Sequence, residues 1–251
     1  MDYLVYFIGG LVAGVATGFV GLSAAVIIAP LFVTILDMDP YTAVGIALAS
    51  DVLASGLSAY KYGKKGNIHI KSALVMGVTV ILFTILASYL SKDMDPVNLG
   101  WILNVILVVL GLRFIIYPVK GGSGTVFRFT KSKFIQSVFW GAIIGMISGY
   151  TGSGGGLSML AVLTMVLGYD LKKAVGTSVL IMVFTALVGS ATHIIIAGTL
   201  WVPLIITGLA ALLASNFAAH YANTIKNKTM NIIVGSILTV TGVVLVILYI
   251  Y

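Results

Sequence analysis

Long apolar runs constrain this chain more than any other feature. Mainly apolar stretches near 41–62, 70–90, 97–117, 172–197, 201–221 and 230–250 are each about long enough to cross a ~30 Å hydrocarbon core, which takes about 20 helical residues. Two further runs, near 3–36 and 134–168, are longer, and each is interrupted near its middle by glycines. Glycine lowers helix propensity by about 1 kcal/mol relative to alanine, so these are the places where a helix is expected to break. The chain is 60% hydrophobic and 8% charged, against roughly 45–50% and 25% in soluble domains. That composition belongs in a bilayer. The absence of cysteine excludes disulfides and thiolate metal sites. The start, Met1-Asp2-Tyr3-Leu4-Val5, lacks a positive n-region, and no cleaved signal peptide is expected. The net charge of +7 sits in short loops between apolar runs and not along one soluble face, which points to membrane topology and away from nucleic acid.

The interruptions are related. Gly145-Met146-Ile147-Ser148-Gly149-Tyr150-Thr151-Gly152-Ser153-Gly154-Gly155-Gly156 follows Gly14-Val15-Ala16-Thr17-Gly18-Phe19-Val20-Gly21-Leu22-Ser23-Ala24-Ala25 at an offset of 131 positions. The same offset pairs Gly10 with Gly141, and Asp39, Ala43, Val44 and Gly45 with Asp170, Ala174, Val175 and Gly176. Two repeats follow, residues 1–118 and 134–251, joined by a basic linker at 119–133 within one integrated membrane domain. Internal repeats of this kind are a transporter signature.

Charge placement predicts how the broken runs cross. If each were one spanning helix, nine basic residues would face inward and five outward. If each turns at its glycines and returns, thirteen face inward and only Lys92 outward, as the positive-inside rule favours. Arms of about 15 residues reach roughly 22 Å at 1.5 Å per residue, short of the core, which favours re-entry. Three crossings per repeat invert the second copy. The expected fold is an all-α polytopic membrane protein of two inverted-topology repeats, each a glycine-broken, re-entrant hairpin plus three spanning helices. The linker would be cytoplasmic and both termini outside the cell membrane.

The glycines divide into two jobs. Gly10, Gly14 and Gly18, like Gly141, Gly145 and Gly149, recur every four residues and form a small-residue stripe for close helix packing. Gly152 to Gly156 are too dense to continue a helix, and non-helical backbone at membrane depth is tolerated only where protein or a wet cavity satisfies it. The helix that resumes after such a tip offers unpaired N–H groups and a positive dipole end to an anion. Near the second tip these come from Gly154, Gly155 and Gly156, with hydroxyls of Thr151 and Ser153. At the first tip Ser23, Ala24 and Ala25 hold the matching place, with Thr17 a further candidate, and Thr177 and Ser178, just after the repeated Ala-Val-Gly, could add hydroxyls. The glycine spacing is neither a dinucleotide fingerprint nor a P-loop.

Asp51 sits near the centre of the 41–62 run. A charged group there costs about 2.5–3.5 kcal/mol on insertion scales, so a coupling or site-shaping role is expected. The alternative is a protonated carboxyl bonded to a neighbouring helix, since Met182 holds the matched position in the second repeat. His193 reads as a satisfied interface residue, not a ligand. No zinc-protease, Cys-His or nucleophile-elbow motif is present, and neither catalysis, a metal nor a cofactor is expected.

The two glycine motifs, with Ala174-Val175-Gly176-Thr177-Ser178, resemble the TauE/SafE family of sulfite and organosulfonate exporters over nearly the whole chain. The first motif departs from the family's glycine-rich pattern at Leu22 to Ala25. The resemblance implies a secondary transporter exporting small sulfur-containing anions such as sulfite or sulfoacetate by alternating access. Its partners would be the anionic substrate and the bilayer; the sequence does not fix the oligomeric state. A passive anion channel and a carrier for an unrelated small solute are the competing readings.

Overall fold

A computed structural model describes residues 2–90, 97–119, 130–151 and 155–250, and every regular element among them is helical. In chain order these are α1 (Asp2–Val20), α2 (Ala25–Leu36), α3 (Pro40–Lys64), α4 (Ile70–Leu90), α5 (Val97–Ile116), α6 (Lys131–Thr151), α7 (Gly156–Ala161) with a π-helical continuation (Val162–Val166), α8 (Leu171–Ala197), α9 (Trp201–Thr224) and α10 (Asn227–Ile250). Among the described residues six helices, α1, α3, α4, α8, α9 and α10, contain stretches long and apolar enough to cross a membrane. Their outer faces suit lipid: Leu74, Val78 and Leu82 on α4 and Leu209, Leu213 and Phe217 on α9 are all exposed. The protein is an all-helical, multi-pass membrane protein.

The repeated Asp-x-x-x-Ala-Val-Gly motif has a physical meaning at both of its ends. Its aspartate caps a helix. The Asp39 carboxylate accepts from the Thr42 N–H at 2.9 Å, with Pro40 opening α3, and Asp170 accepts from the Lys173 N–H at 3.1 Å at the start of α8. Each bond satisfies one of the orphan donors of a first turn. Its glycine is a crossing point. A side chain at Gly176 would strike the Asn67 carbonyl and Tyr62, and one at Gly45 would press on His193.

The packing respects the 131-residue offset. α1 packs on α9 as α6 packs on α4, α3 packs on α9 as α8 packs on α4, and α3 with α8 and α5 with α10 form self-matched pairs. Gly10, Gly14 and Gly18 of α1 lie successively against Thr207, Ala211 and Ala218 of α9, and Gly141 and Gly145 of α6 against Met76 and Val80 of α4. These pairs run parallel, and the glycines let the two backbones touch. In the self-matched pairs the direction reverses. Gly45 meets His193, Leu48 meets Gly189 and Tyr62 meets Gly176, while Val108 meets Gly242 and Ile115 meets Gly235. α3 and α8 therefore cross antiparallel, with Asp51 and Met182 both near the middle of the crossing.

Arm lengths differ from the sequence expectation. α1 has 19 residues, about 28 Å, and α6 has 21, about 31 Å, instead of roughly 22 Å, whereas α2 has only 12. Each broken run is an asymmetric pair, a long first arm and a short second one. α1 continues through its glycines because α9 supplies contacts that outweigh their low propensity.

Candidate functional site

The first break begins where Gly21 takes a left-handed backbone, φ 70°, a conformation open to glycine and strained for other residues. Thr17 closes the turn by donating its hydroxyl to the Leu22 carbonyl at 2.9 Å, and the buried Tyr62 of α3 donates to the Gly18 carbonyl at 3.0 Å. The chain then resumes as α2. Its first-turn donors are taken up within the protein: the Ala25 N–H reaches the Ser23 hydroxyl at 3.3 Å and the Val26 N–H the Ser23 carbonyl at 3.1 Å. Ser23 in turn donates to the Asp51 carboxylate, 2.6 Å away, which the Ala24 N–H also faces. Asp51 is wholly buried, and its second oxygen, Oδ1, has no partner.

The second break turns at Gly155, also at φ 70°, immediately before α7. The side chain of Thr151, together with Ser153 and Gly154, lies outside the described residues. Gly156 is in direct contact with the first break. A Cβ placed on it would fall 2.6 Å from the Gly21 carbonyl oxygen, 2.9 Å from the Ser23 nitrogen and 2.7 Å from the Met182 sulfur. The two breaks thus meet backbone to backbone at the centre of the α3–α8 crossing, Asp51 behind one and Met182 behind the other.

The remaining candidates separate. The Ser178 hydroxyl packs against Gly21 and donates to the Val175 carbonyl at 2.9 Å. Thr177 points elsewhere, accepting from the His69 N–H at 3.0 Å in the loop before α4. Ser58, two turns beyond Asp51 on the same face of α3, and Ser148, against Gly155, have buried hydroxyls without partners. Buried polar atoms of this kind ordinarily hold water or a ligand. His193 bonds the Tyr41 carbonyl at 3.0 Å and stacks on the Tyr41 ring, which satisfies it. Tyr62 was not foreseen. It lies eleven positions after Asp51, three helical turns along the same face, and that spacing is the signal that could have found it.

The two ends of the molecule differ in charge. At the start of α3 a hollow of about 500 Å³ is lined by Asp2, Tyr6, Asp39, Thr42 and Thr199. The Thr42 N–H and hydroxyl hold the Asp39 carboxyl below its usual range. At the opposite end His69, bonded by its ring to the Ser72 N–H at 3.2 Å, has its pKa lowered by burial and by Lys173, Lys71 and Lys133 around it. Lys133 also donates to the Leu167 carbonyl at 3.1 Å.

Residues 6–245 of this helical membrane protein match the family described as "Sulfite exporter TauE/SafE". The chain belongs to the TauE/SafE family. It is 20% identical to a probable membrane transporter protein of Bacillus subtilis, YunE, across 96% of both chains. A second B. subtilis relative, YdhB, also named a probable membrane transporter protein, is 25% identical over 72% of this chain and 74% of its own. A probable membrane transporter protein of Methanocaldococcus jannaschii is 23% identical over 93% of this chain and 91% of its own. Membership makes this TauE/SafE protein a membrane transporter.

Proposed function

We propose that this transporter is a secondary carrier exporting small sulfur-containing anions, sulfite or organosulfonates such as sulfoacetate, and that the anion binds where the two breaks meet. The observation that carries the reading is the contact of Gly156 with Gly21 and Ser23 at the middle of the α3–α8 crossing. A break at that depth gathers backbone donors and hydroxyls where no lipid reaches, which suits sulfonate oxygens without any arginine. Ser23, Thr151, Ser153 and the amides of Ala24 and Gly154 to Gly156 would be the donors, the Ala25 N–H remaining with the Ser23 hydroxyl, and neutral donors bind weakly enough to permit release.

The antiparallel self-matched pairs support inverted-topology repeats, and rocking of one repeat against the other would open the site alternately to each side. The basic end, with Lys71, Lys133 and Lys173, would face the cytoplasm under the positive-inside rule, leaving both termini outside. Coupling to protons through Asp51 belongs to the same reading.

Flux of labelled sulfite and sulfoacetate in proteoliposomes tests it. Saturable uptake with counterflow, reduced at least tenfold by Ser23→Val and by Ser153→Val, is expected. Flux that neither saturates nor shows counterflow would make the protein a channel, and flux indifferent to both substitutions would move the site away from the breaks.

A further inference from the structure

We infer that Asp51 is a tethered competitor of the substrate. Its carboxylate occupies the α2 start in place of an external anion, and taking up one proton there is the step that admits the anion. The inference rests on the site proposed above. A helix start attracts negative charge, and this one is already supplied: the Ser23 hydroxyl hydrogen goes to Asp51 Oδ2 at 2.6 Å, and the Ala24 N–H faces the same carboxylate. The Thr17 and Ser178 hydroxyls are already given to the Leu22 and Val175 carbonyls, so an ionised Asp51 that keeps the Ser23 proton holds back the hydroxyl at the α2 start and opposes a second anion beside it.

Protonation reverses both effects. A proton from the bath forms an O–H bond on the carboxyl, and no other bond changes. The neutral acid becomes a donor, so the Ser23 hydroxyl can accept from it and turn its own hydrogen to the incoming anion. With the proton on Oδ1 instead, buried and unpartnered, the same single O–H would point at the anion directly while Ser23 stays on Oδ2. The proton leaves when the site empties on the other side and the carboxylate returns to the α2 start.

Among the described residues no other charge competes for this role. The titratable groups of the elements packed on Asp51 lie toward their ends: Asp2, Tyr3 and Tyr6 on α1, Lys172, Lys173 and His193 on α8, and His220 and Tyr221 on α9, while α2 has none. On α3 itself Tyr41, Tyr60, Lys61, Tyr62 and Lys64 are equally terminal, and Tyr62 is bonded to Gly18. The second break has Met182 where the first has Asp51, so the pair of breaks carries one carboxyl and one proton per anion.

The purified full chain, titrated with sulfoacetate, methanesulfonate and sulfite (the last corrected for its own proton equilibrium), tests the inference by two readouts. Affinity should weaken about tenfold per pH unit across the range in which the carboxyl titrates, and binding in weak buffer should take up about one proton per anion. Asp51→Asn should bind at least as tightly as the wild type does at low pH, with a flat pH profile and no proton uptake. Anion binding by the wild type without proton uptake overturns the inference and leaves the carrier reading standing. So does a monodisperse Asp51→Asn protein that has lost binding, or one whose proton uptake is unchanged. The wild-type proton count needs no variant, so it decides the matter even if Asp51→Asn does not fold. Failure of all three anions to bind removes the substrate assignment, and the tethered competitor falls with it.

Discussion

Contact between the two breaks leaves no room for a side chain at Gly156. Its neighbours there are two backbone atoms and the Met182 sulfur, all closer than 3.0 Å to an added Cβ, and backbone cannot move aside as a flexible side chain can. Gly156→Ala should therefore destabilise the protein by about 1–3 kcal/mol, the usual cost of overpacking, and reduce flux. Gly56, in the middle of α3, is the control: an added Cβ meets nothing within 4 Å, and Gly56→Ala should stabilise by about 0.5–1 kcal/mol through helix propensity alone. Thermal melts of both variants in detergent, beside proteoliposome flux, would show the split; equal effects would mean that the breaks are not in contact. The residues at this centre were individually readable, because glycine density and a carboxyl in an apolar run are both anomalous. Their pairing was not. Ser23 and Asp51 are 28 positions apart, and only the return of α2 along α3 brings them together.

Helix limits and helix pairings were legible to different degrees. The matched Asp-x-x-x-Ala-Val-Gly segments marked the starts of α3 and α8, because capping is local chemistry that needs only the aspartate and the next three residues. Asp170→Ala should thus cost about 1 kcal/mol of stability, measurable as a lowered melting temperature, and Asp170→Asn should restore most of it. Arm length was misjudged because glycine spacing alone suggests an early break. α1 instead runs through Gly9, Gly10, Gly14 and Gly18 to Val20, held by the Thr207-to-Ala218 face of α9, a partner about 200 positions away that no local pattern reveals. The π-helical continuation of α7 at Val162–Val166 was equally invisible: nothing in Val162-Leu163-Thr164-Met165-Val166 distinguishes a wider turn from an ordinary one.

Across the whole molecule the opposed charges of its two ends make pH and salt separate probes. His69 is held below its ordinary pKa by burial and by Lys173, Lys71 and Lys133. The unfolded chain therefore binds a proton at higher pH than the folded one does, and stability, complete above about pH 6.5, should fall as pH drops through that value toward the folded pKa. His69→Gln should flatten this part of the melting profile; an unchanged slope would assign it to another group. The lysines have a further consequence for transport. Lys172 is tied down, its ammonium donating to the Asn223 and Ile225 carbonyls at 3.0 and 2.6 Å, so Lys71 and Lys173 are the better probes of the field an arriving anion meets. At low salt that field raises the encounter rate, and with a screening length of about 10 Å at 0.1 M and about 3 Å at 1 M it vanishes as salt rises. Replacing both with glutamine should lower kcat/KM for anion entering from this end several-fold at 20 mM salt, leave the maximal rate unchanged, and have no effect near 1 M. Entry from the end bearing Asp2 and Asp39 should be indifferent to the same pair of changes. Sided uptake assays in oriented proteoliposomes separate the two directions, and an equal loss from both ends would show that these lysines support the fold and do not guide the substrate.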